Sequence, residues 1–591
     1  MMREKRPGTG MAFLGFLVCP ILTLVLAEAF RYNPFTEIRP AAWMLNCIFY
    51  WIFAALLFFL TGRLRLALRL QTVCFLLTGL ANYYVIAFRS SPILPWDIFS
   101  VGTAASVADN FSYALPARCW FVLAGFTLLL LAEQLFPLAV ADRRLRFAGT
   151  LASLLLLSGF SALLHQERVI TGLGLYDKMF TPDVVQKRNG SAVAFIMELK
   201  YLRAEKPAGY DKEACRTLLS SYDGSAAASA GAAQKMYPNI IVIMDEAFAD
   251  MACIGTFTPE QDYMPFFHSL QGADNTITGR LHVSVLGGNT ANTEFEFLTG
   301  NTMAFLPQGS IPYQQYIRGS LPSLASYLKE AGYQTVAMHP YHAKGWSRNR
   351  VYPWMGFEQM RFLEAYEDAS YVRKYVSDRS DFAQIIREYE RRDPEKPFFL
   401  FNVTMQNHGG YSQEFDNFTP HITAEGIRSQ PLSNYLSLIS LTDAALEELI
   451  AYFAQEEDTI IVFFGDHQPN DTVAAPIWRE NGVDIAAPTP EQEALRYEVP
   501  YLIWANYEIA AGEDRQISAN FLALEVLRQA GIPLQGYYRY LAELQEDYPV
   551  ISARHVLTPE GTALTDEEKK TSGELLTYQK LQYYRLFDGG Q

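Results

Sequence analysis

Residues 240–246 read Ile-Ile-Val-Ile-Met-Asp-Glu, a short run of apolar side chains that ends directly in two carboxylates. Such a run predicts a buried strand. Similar runs recur at Thr335–Met338, Phe398–Val403 and Thr459–Phe464. Strands that alternate with helices predict an α/β domain around a largely parallel central sheet. The helical patterns between them cover Leu321–Ala331, Phe382–Arg391 and Ser433–Gln455.

Polar side chains follow three of these predicted strands. Asp245 and Glu246 end the first, residues 465–467 read Gly-Asp-His, and residues 404–408 read Thr-Met-Gln-Asn-His. Functional groups gather beyond the carboxyl ends of parallel strands. Carboxylate oxygens and a histidine nitrogen are a suitable ligand set for zinc or manganese. The pattern therefore indicates a metal site, although a single Asp-His pair occurs more often in a surface turn.

The N-terminal part of the chain is far more apolar than the rest. Half of the 591 residues are hydrophobic, yet the formal net charge is −15, which indicates an apolar part joined to an acidic one. Five apolar runs each approach the roughly 20 residues that a membrane-spanning helix needs. They predict five transmembrane helices, with the first retained because no small-residue cleavage site follows it. The runs are Met11–Phe30, Ala41–Thr61, Leu70–Phe88, Trp120–Val140 and Phe147–Leu164.

Basic residues in short loops predict the orientation of these helices, because such loops stay in the cytoplasm. The basic positions alternate between the runs: Arg3, Lys5 and Arg6; Arg63, Arg65 and Arg69; Arg143, Arg144 and Arg146. A cytoplasmic N-terminus and five spans place the chain after His165 outside the cell membrane. The expected divisions are a transmembrane domain at 1–165, a connector at 166–235 and an extracellular α/β domain at 236–591.

The connector carries two possible helices, Ser191–Arg203 and Lys212–Ser221, and then the low-complexity stretch Ser225–Ala233. Four of the six cysteines belong to the apolar N-terminal part, so only Cys215 and Cys253 remain after it, too few for a disulfide-stapled scaffold. The acidic composition, without clusters of Lys and Arg, argues against nucleic acid as a partner.

Residues 286–295 read Leu-Gly-Gly-Asn-Thr-Ala-Asn-Thr-Glu-Phe, where glycines permit a tight turn and a helix then begins. Thr290 is open to two interpretations at this point. It can be the N-cap of the helix, with Glu294 supporting the first turn. Alternatively, its hydroxyl can lie beside an anion at the helix N-terminus.

Three motifs resemble those of the lipoteichoic acid synthase family, membrane members of the sulfatase and alkaline phosphatase superfamily. They are residues 241–248 (Ile-Val-Ile-Met-Asp-Glu-Ala-Phe), residues 288–295 (Gly-Asn-Thr-Ala-Asn-Thr-Glu-Phe) and residues 465–467. The resemblance runs from the five apolar runs to about the end of the α/β domain. It implies one divalent metal ion, manganese with zinc or magnesium as alternatives, and a nucleophilic Thr290. The implied metal ligands are Glu246, Thr290, Asp466 and His467.

Two further stretches resemble the substrate-contact motifs of that family: residues 339–348 (His-Pro-Tyr-His-Ala-Lys-Gly-Trp-Ser-Arg) and Asn407-His408. The chain departs from the family pattern at Tyr341, where an acid is common, and at Ser347, where Asn is usual. The residues that would surround a phosphoglycerol group are His339, Trp346, Arg348 and His408.

The resemblance implies a phosphoglycerol transferase that works by double displacement. Thr290, made more acidic by a bound dication, would take glycerophosphate from phosphatidylglycerol, and diacylglycerol would leave. The hydroxyl of a polyglycerophosphate, a glycolipid or a glycan would then accept the group at the membrane surface, as in lipoteichoic acid synthesis for the cell wall. Arg348 would bind the phosphate oxygens, and His408 would donate to them or to the leaving alcohol.

Three other functions compete with this interpretation. A sulfatase is disfavoured because no Cys-x-Pro-Ser-Arg sequence is present. A phosphoethanolamine transferase shares five spans and a threonine nucleophile, but that family typically carries several disulfides. A non-catalytic membrane sensor or binding protein of the same fold is expected to lack a metal ligand or the threonine, whereas all four positions are filled here.

Overall fold

The computed structural model describes residues 9–89, 92–99, 114–176, 182–202, 204–223, 237–307, 309–366, 368–485 and 488–589. Arg3, Lys5, Arg6 and the stretch Ser225–Ala233 lie outside the described residues. The chain divides into two compact units. The first ends at Ala204, and the second contains the chain from Glu205 onwards.

The first unit contains five helices that are long and apolar enough to cross a membrane, which confirms the five predicted spans. The third helix begins at Leu64 rather than at the predicted Leu70, because apolar runs mark only the part of a helix that lipid surrounds. Gly62, with φ +68°, ends the second helix in the left-handed conformation that favours glycine. The helices are α1 (Thr9–Ala29), α2 (Pro40–Thr61), α3 (Leu64–Arg89), α4 (Ala117–Ala132) and α5 (Arg143–Leu164).

Along the chain, the described residues after these spans and before the first strand form four helices, Glu167–Gly172, Pro182–Asn189, Ser191–Glu198 and Lys212–Ser221. The predicted helix from Ser191 is thus shorter than expected, because a 3-10 turn at Leu199–Leu202 replaces its last part.

The second unit is built on an eight-stranded sheet. Its strands are β1 (Asn239–Asp245), β2 (Thr276–His282), β3 (Gln334–Met338), β4 (Gln359–Arg361), β5 (Phe398–Val403), β6 (Thr459–Gly465), β7 (Glu498–Ala505) and β8 (Gly512–Ser518). They lie in the order β8-β2-β7-β6-β1-β5-β3-β4. All neighbouring strands are parallel except that β7 runs antiparallel to β2 and β6, which confirms the predicted largely parallel α/β sheet.

Sequence patterns predicted the four strands that are central or apolar and missed the other four. Every residue of β1, β5 and β6 is buried, so these strands are continuous apolar runs. In contrast, β2 and β8 carry polar residues and a glycine each, β7 contains Pro500, and β4 has three residues. Alternation and apolar runs are therefore weak there.

Helices pack around this sheet. The three predicted helices are present, and two of them begin earlier than expected because Ser377 and Ser429 cap polar first turns. The longer helices are α6 (Thr290–Thr299), Leu324–Glu330, α7 (Arg348–Trp354), α8 (Asp378–Glu390), α9 (Gln430–Phe453), Asp471–Glu480, Ala519–Gln529, Gly536–Asp547 and Gly573–Tyr583.

Candidate active site

The centre of the sheet brings two predicted ligand motifs together. Strands β1 and β6 are adjacent and parallel, and Asp245 pairs with Gly465 at their carboxyl ends. The next residues, Glu246 and Asp466, therefore leave the sheet side by side. The backbone N–H of Ala247 donates to Asp466 Oδ1 over 2.7 Å, which fixes that carboxylate at the end of β1.

Glu246, Asp466 and His467 form what we call the metal cluster. One ligand atom from each lies within 4.8 Å of the others, and all three side chains are buried. His467 Nε2 is 3.2 Å from Asp466 Oδ2 and 3.7 Å from Glu246 Oε1. Burial raises the pKa of both carboxyl groups, and the charge of Asp466 raises that of Glu246 further. Two buried like charges require a nearby cation to remain ionised.

The donor atoms of this cluster fit a divalent metal ion. Asp466 Oδ2 and His467 Nε2 are buried and have no hydrogen-bond partner among the described residues. His467 Nδ1 lies 3.0 Å from the carbonyl oxygen of Gln468, which can only accept, so Nδ1 is the donor of this contact. Nε2 is then the ring nitrogen that faces the Asp466 carboxylate. A metal ion bound by both atoms would satisfy them.

Thr290 lies beside this cluster, at the start of α6. Gly287, Gly288 and Asn289 all have positive φ, at +67°, +151° and +67°, and turn the chain sharply into α6. Asn289 occupies the N-cap position, so the interpretation of Thr290 as the N-cap is wrong. The buried Thr290 hydroxyl instead donates to Glu246 Oε2 over 3.2 Å.

His339 and Arg348 form a second group that is joined to α6 through Glu294. Arg348 Nε donates to Glu294 Oε1 over 3.0 Å, and its Nη2 also pairs with that carboxylate. Tyr352 donates to Glu294 Oε2 over 2.7 Å. All these groups are buried, so Glu294 does more than support the first helical turn. Since Glu294 follows Thr290 by one turn of α6, Arg348 is tied to the helix that carries the threonine.

The imidazole of His339 is held between two partners. Its Nδ1 lies 2.8 Å from the carbonyl oxygen of Val403, and its Nε2 lies 3.0 Å from Arg348 Nη1. Burial, then the charge of Arg348, lowers the pKa of His339 well below its usual range. His339 is therefore neutral, with the proton on Nδ1 and with Nε2 accepting from Arg348.

His408 and Trp346 are half-buried. His408 Nδ1 lies 3.1 Å from the hydroxyl of Tyr375. Burial, then the positive charge of Arg373, lowers the pKa of His408 to about 3. Trp346 and Ser347 have φ values of +51° and +63°, a left-handed conformation that side chains other than glycine rarely adopt. Such strain is found where a loop must aim its side chains.

Sequence reasoning missed several residues of the site. Thr404 donates to Asp245 Oδ2 over 3.0 Å and accepts the backbone N–H of Glu246 over 3.0 Å. Asn407 donates to Asp245 Oδ1 over 2.9 Å and to Thr442 over 2.9 Å. We call these four side chains, Asp245, Thr404, Asn407 and Thr442, the Asp245 network. Only the position of Thr404 and Asn407 after a strand could have indicated them.

The fold and the cluster define the class: an alkaline-phosphatase-like α/β domain that follows five apolar helices. A family model described as Sulfatase matches residues 238–532. A putative cyclic beta-1,2-glucan modification protein of Rhizobium meliloti (strain 1021) is 32% identical over 478 residues, which is 79% of this chain and 72% of that protein. The chain belongs to the sulfatase family.

The expected resemblance to lipoteichoic acid synthases is confirmed. That enzyme of Staphylococcus aureus (strain USA300) is 24% identical over 241 residues, 39% of this chain and 35% of the relative. Two solved structures share the fold with a TM-score of 0.50: Streptococcus pyogenes phosphoglycerol transferase GacH in complex with sn-glycerol-1-phosphate, and lipooligosaccharide phosphoethanolamine transferase A from Neisseria meningitidis. The first is 20% identical and covers 64% of this chain and 94% of its own. The second is 15% identical and covers 88% and 94%.

These findings show a domain of the sulfatase family and five helices that are long and apolar enough to cross a membrane. The names of the relatives differ in the group transferred and in the acceptor. The finer assignment therefore depends on the site of this chain.

Proposed function

We propose that this chain is a membrane-anchored phosphoglycerol transferase. Thr290 takes the glycerophosphate group from phosphatidylglycerol and passes it to an acceptor hydroxyl. One observation carries the proposal: the hydroxyl of Thr290 lies 3.2 Å from Glu246 at the metal cluster, at the N-terminus of α6. A buried hydroxyl beside metal-ligand side chains is placed to act as a nucleophile.

A divalent ion would be held by Glu246, Asp466 and His467, together with Thr290. When bound, such an ion makes a hydroxyl more acidic and offsets the charge of a phosphate group. Manganese is our first choice from the resemblance, and zinc and magnesium are the alternatives. Both zinc and manganese accept one histidine nitrogen with carboxylate oxygens.

The side chains around Thr290 supply the other parts of the reaction. Thr290 Oγ1 forms the bond to phosphorus while the bond to the diacylglycerol oxygen breaks, and Glu246 Oε2 is the acceptor toward which the hydroxyl proton points. The N-terminus of α6 favours the negative charge of the phosphate. His408, whose Nδ1 faces Tyr375, can donate a hydrogen bond from Nε2 to the leaving oxygen, which takes up its proton from water. His339, Trp346, Arg348 and His408 would surround the transferred group.

The comparisons support phosphoglycerol as the transferred group and a glycan as the acceptor. The phosphoglycerol group is the one named for GacH and is implied by the similarity to lipoteichoic acid synthase. The glucan modification protein is 32% identical over 79% of this chain, and its name favours a glycan hydroxyl over a polyglycerophosphate or a glycolipid. Lipoteichoic acid synthesis remains the alternative pathway for the same chemistry.

A phosphoethanolamine transferase is the second candidate, since the neisserial enzyme shares the fold over 88% of this chain. Against it, all six cysteines are described and none forms a disulfide, whereas that family is expected to carry several. We further propose that the N-terminus is cytoplasmic and that the domain at 236–591 acts outside the cell membrane, following the transmembrane domain at 1–165 and the connector at 166–235.

The first test is the intact mass of the full chain in detergent after incubation with manganese and phosphatidylglycerol. We expect a glycerophosphate adduct on the wild type and on Thr290→Ser, and none on Thr290→Ala, because only the first two carry a hydroxyl at this position. Removing the nucleophile should lower the transfer rate by at least about 1,000-fold. A full adduct on Thr290→Ala would refute the mechanism.

A parallel incubation with phosphatidylethanolamine separates the two candidate headgroups. An adduct from that lipid alone would assign the chain to the phosphoethanolamine transferases. If neither lipid gives an adduct and no divalent ion binds, the chain is a non-catalytic member of the fold.

A further inference from the structure

Arg373 occupies a position that arginine rarely takes. It lies between the two short antiparallel strands Tyr371–Val372 and Tyr375–Val376, and its φ is +57°. Tight hairpin turns prefer glycine or asparagine at such a left-handed position. Its side chain is nevertheless only 6% exposed, so this strained residue sends a charged group into the domain. Strain of this kind persists where a side chain has a specific task.

The guanidinium of Arg373 is bound to the protein at Nη2, whereas its Nε has no hydrogen-bond partner among the described residues. Its Nη2 donates to the carbonyl oxygens of Gln406 and His408, each over 2.7 Å. Its Nε is buried without a hydrogen-bond partner in the described part of the chain, where the side chain also forms no ion pair with a carboxylate. The rings of Tyr375 and Tyr411 lie 5.8 and 5.6 Å from the guanidinium carbon.

The Arg373 guanidinium belongs to the same site as the metal cluster. The carbonyl that Arg373 holds is that of His408, and the hydroxyl of Tyr375 meets the His408 ring. The charges of Arg373 and Glu246 act on each other, and burial lowers the pKa of Arg373 because these contacts do not fully compensate it. A buried cation that forms no ion pair with a carboxylate is costly in free energy, and an anionic ligand would remove that cost.

Arg348 offers the opposite case. Its Nε and Nη2 are taken by Glu294, and its Nη1 by His339. The guanidinium is therefore already neutralised by a buried carboxylate. A phosphate would have to compete with Glu294 for it. Of Arg348 and Arg373, only Arg373 has donors that are free to bind a substrate.

We propose that Arg373 is the arginine that contacts the phosphate oxygens of the substrate, and that Arg348 positions His339 and α6. This rests on the proposed function, which supplies the phosphodiester. Arg373 then binds the substrate phosphate and offsets its negative charge through the guanidinium donors that no group in the described part of the chain accepts, Nε among them. Planar, charged donors of this kind suit phosphate oxygens.

The test measures phosphate binding directly, so that it does not depend on transfer. Full-length protein in detergent, loaded with manganese and carrying Thr290→Ala to prevent reaction, is titrated with inorganic phosphate and with glycerol phosphate. We expect Arg373→Gln to weaken both by about 10- to 100-fold, the effect of losing a charged hydrogen bond. Arg373→Lys, which keeps the charge, should lose less than about tenfold.

Arg392→Gln is the matched control. This arginine also stacks on a tyrosine, Tyr389 at 3.7 Å, but it pairs with Glu457 and should not change phosphate affinity. Unchanged affinity in Arg373→Gln would overturn the proposal. An equal loss in the Lys and Gln variants would overturn it too, because it would show that the hold on the two carbonyl oxygens matters rather than the charge.

The proposed function fails separately. If the wild type gives no adduct from phosphatidylglycerol but Arg373→Gln still loses phosphate affinity, the phosphate contact stands and the donor assignment falls. If the adduct forms normally on Arg373→Gln at an unchanged KM for the lipid, the transferase stands and the role of Arg373 falls.

Discussion

Asp245 and Glu246 are neighbours in the chain and both are buried carboxylates, but their surroundings are opposite. Asp245 accepts hydrogen bonds on both oxygens, from Thr404 and Asn407. Among the described residues, Glu246 accepts a hydrogen bond only from the Thr290 hydroxyl. It faces Asp466 and His467, whose Oδ2 and Nε2 atoms have no hydrogen-bond partner there. The Asp245 network is closed by protein donors, whereas the metal cluster is open.

The difference shows how one strand end serves two purposes. Burial raises the pKa of both carboxyl groups, so both are costly to keep ionised. In the Asp245 network hydrogen bonds on both carboxylate oxygens offset part of this cost and also hold β1 to the loop after β5. In the metal cluster, Thr290 and the Ala247 N–H each donate one hydrogen bond, but Asp466 Oδ2 and His467 Nε2 stay without a partner among the described residues, and a bound ion would offset the remaining cost. The closed network is thus structural, and the open cluster is functional.

The largest expected effect comes from changing the open cluster. Asp466→Asn removes the negative charge and replaces one carboxylate oxygen with an amide group. We expect manganese affinity to fall at least about 100-fold, because even substitutions of groups that only hydrogen-bond to a metal ligand lower metal affinity about 10- to 100-fold. Titration of metal-free protein by calorimetry measures this. Asp471→Asn, a half-exposed residue that pairs with Arg496, is the control and should bind normally. Equal affinity in Asp466→Asn would show that the open atoms do not bind the ion.

A smaller effect is expected in the closed network, and on stability rather than on metal binding. Asp245→Asn places an amide donor against donors from Asn407 or Thr404, which should lower the free energy of unfolding by about 1–3 kcal/mol. Denaturant unfolding of the full chain in detergent measures it. The exposed Asp458→Asn is the control, with a change within about 0.5 kcal/mol. If Asp245→Asn kept full stability but lost the metal, the distinction between the two regions would fail.

The sequence could predict the open cluster better than the closed network. Glu246, Asp466 and His467 follow apolar runs directly, so the strand rule alone indicates that they meet, and the motif resemblance adds Thr290. The partners of Asp245 are different. Thr404 and Asn407 are ordinary polar residues, and only the register of β1 against β5 brings them to the carboxylate.

The limits of sequence reasoning are also visible at the two arginines. Resemblance assigns the phosphate contact to Arg348, but its pairing with Glu294 depends on how α7 packs on α6, which no local pattern shows. Arg373 is invisible in sequence, because its importance comes from a counter-charge that is missing in three dimensions. The polar strands β2 and β8 were missed for a related reason: neighbouring strands, rather than their own residues, determine their conformation.

A third group of carboxylates extends the comparison, because here a protein cation takes the place of the metal. Asp250 and Asp262 flank His268, whose Nδ1 lies 2.8 Å from Asp262 Oδ2 and whose Nε2 lies 3.7 Å from Asp250 Oδ2. Burial alone would raise the pKa of Asp250, but the interaction with His268 and the hydrogen bond that Tyr263 donates outweigh it and lower that pKa. Glu246, which lacks such a cation, shows the opposite direction.

The smallest expected effect is the pH dependence of this third group. Asp250 and Asp262 raise the pKa of His268 from 6.5 to about 9, so the folded state binds the proton more tightly than the unfolded chain does. The resulting stability is fully present below pH 6.5 and is lost as the pH rises through about 9. Because these side chains are about one-third exposed or more, solvent screening limits the contribution to about 1 kcal/mol or less. The free energy of unfolding of wild type and of His268→Gln should therefore differ by an amount that shrinks as the pH rises across this range. His421→Gln is the control and should show no such trend, because the His421 ring is hydrogen-bonded to the Ser440 hydroxyl and to no carboxylate among the described residues. A constant difference between wild type and His268→Gln would mean that the histidine acts there by packing, and that only the metal cluster depends on a cation.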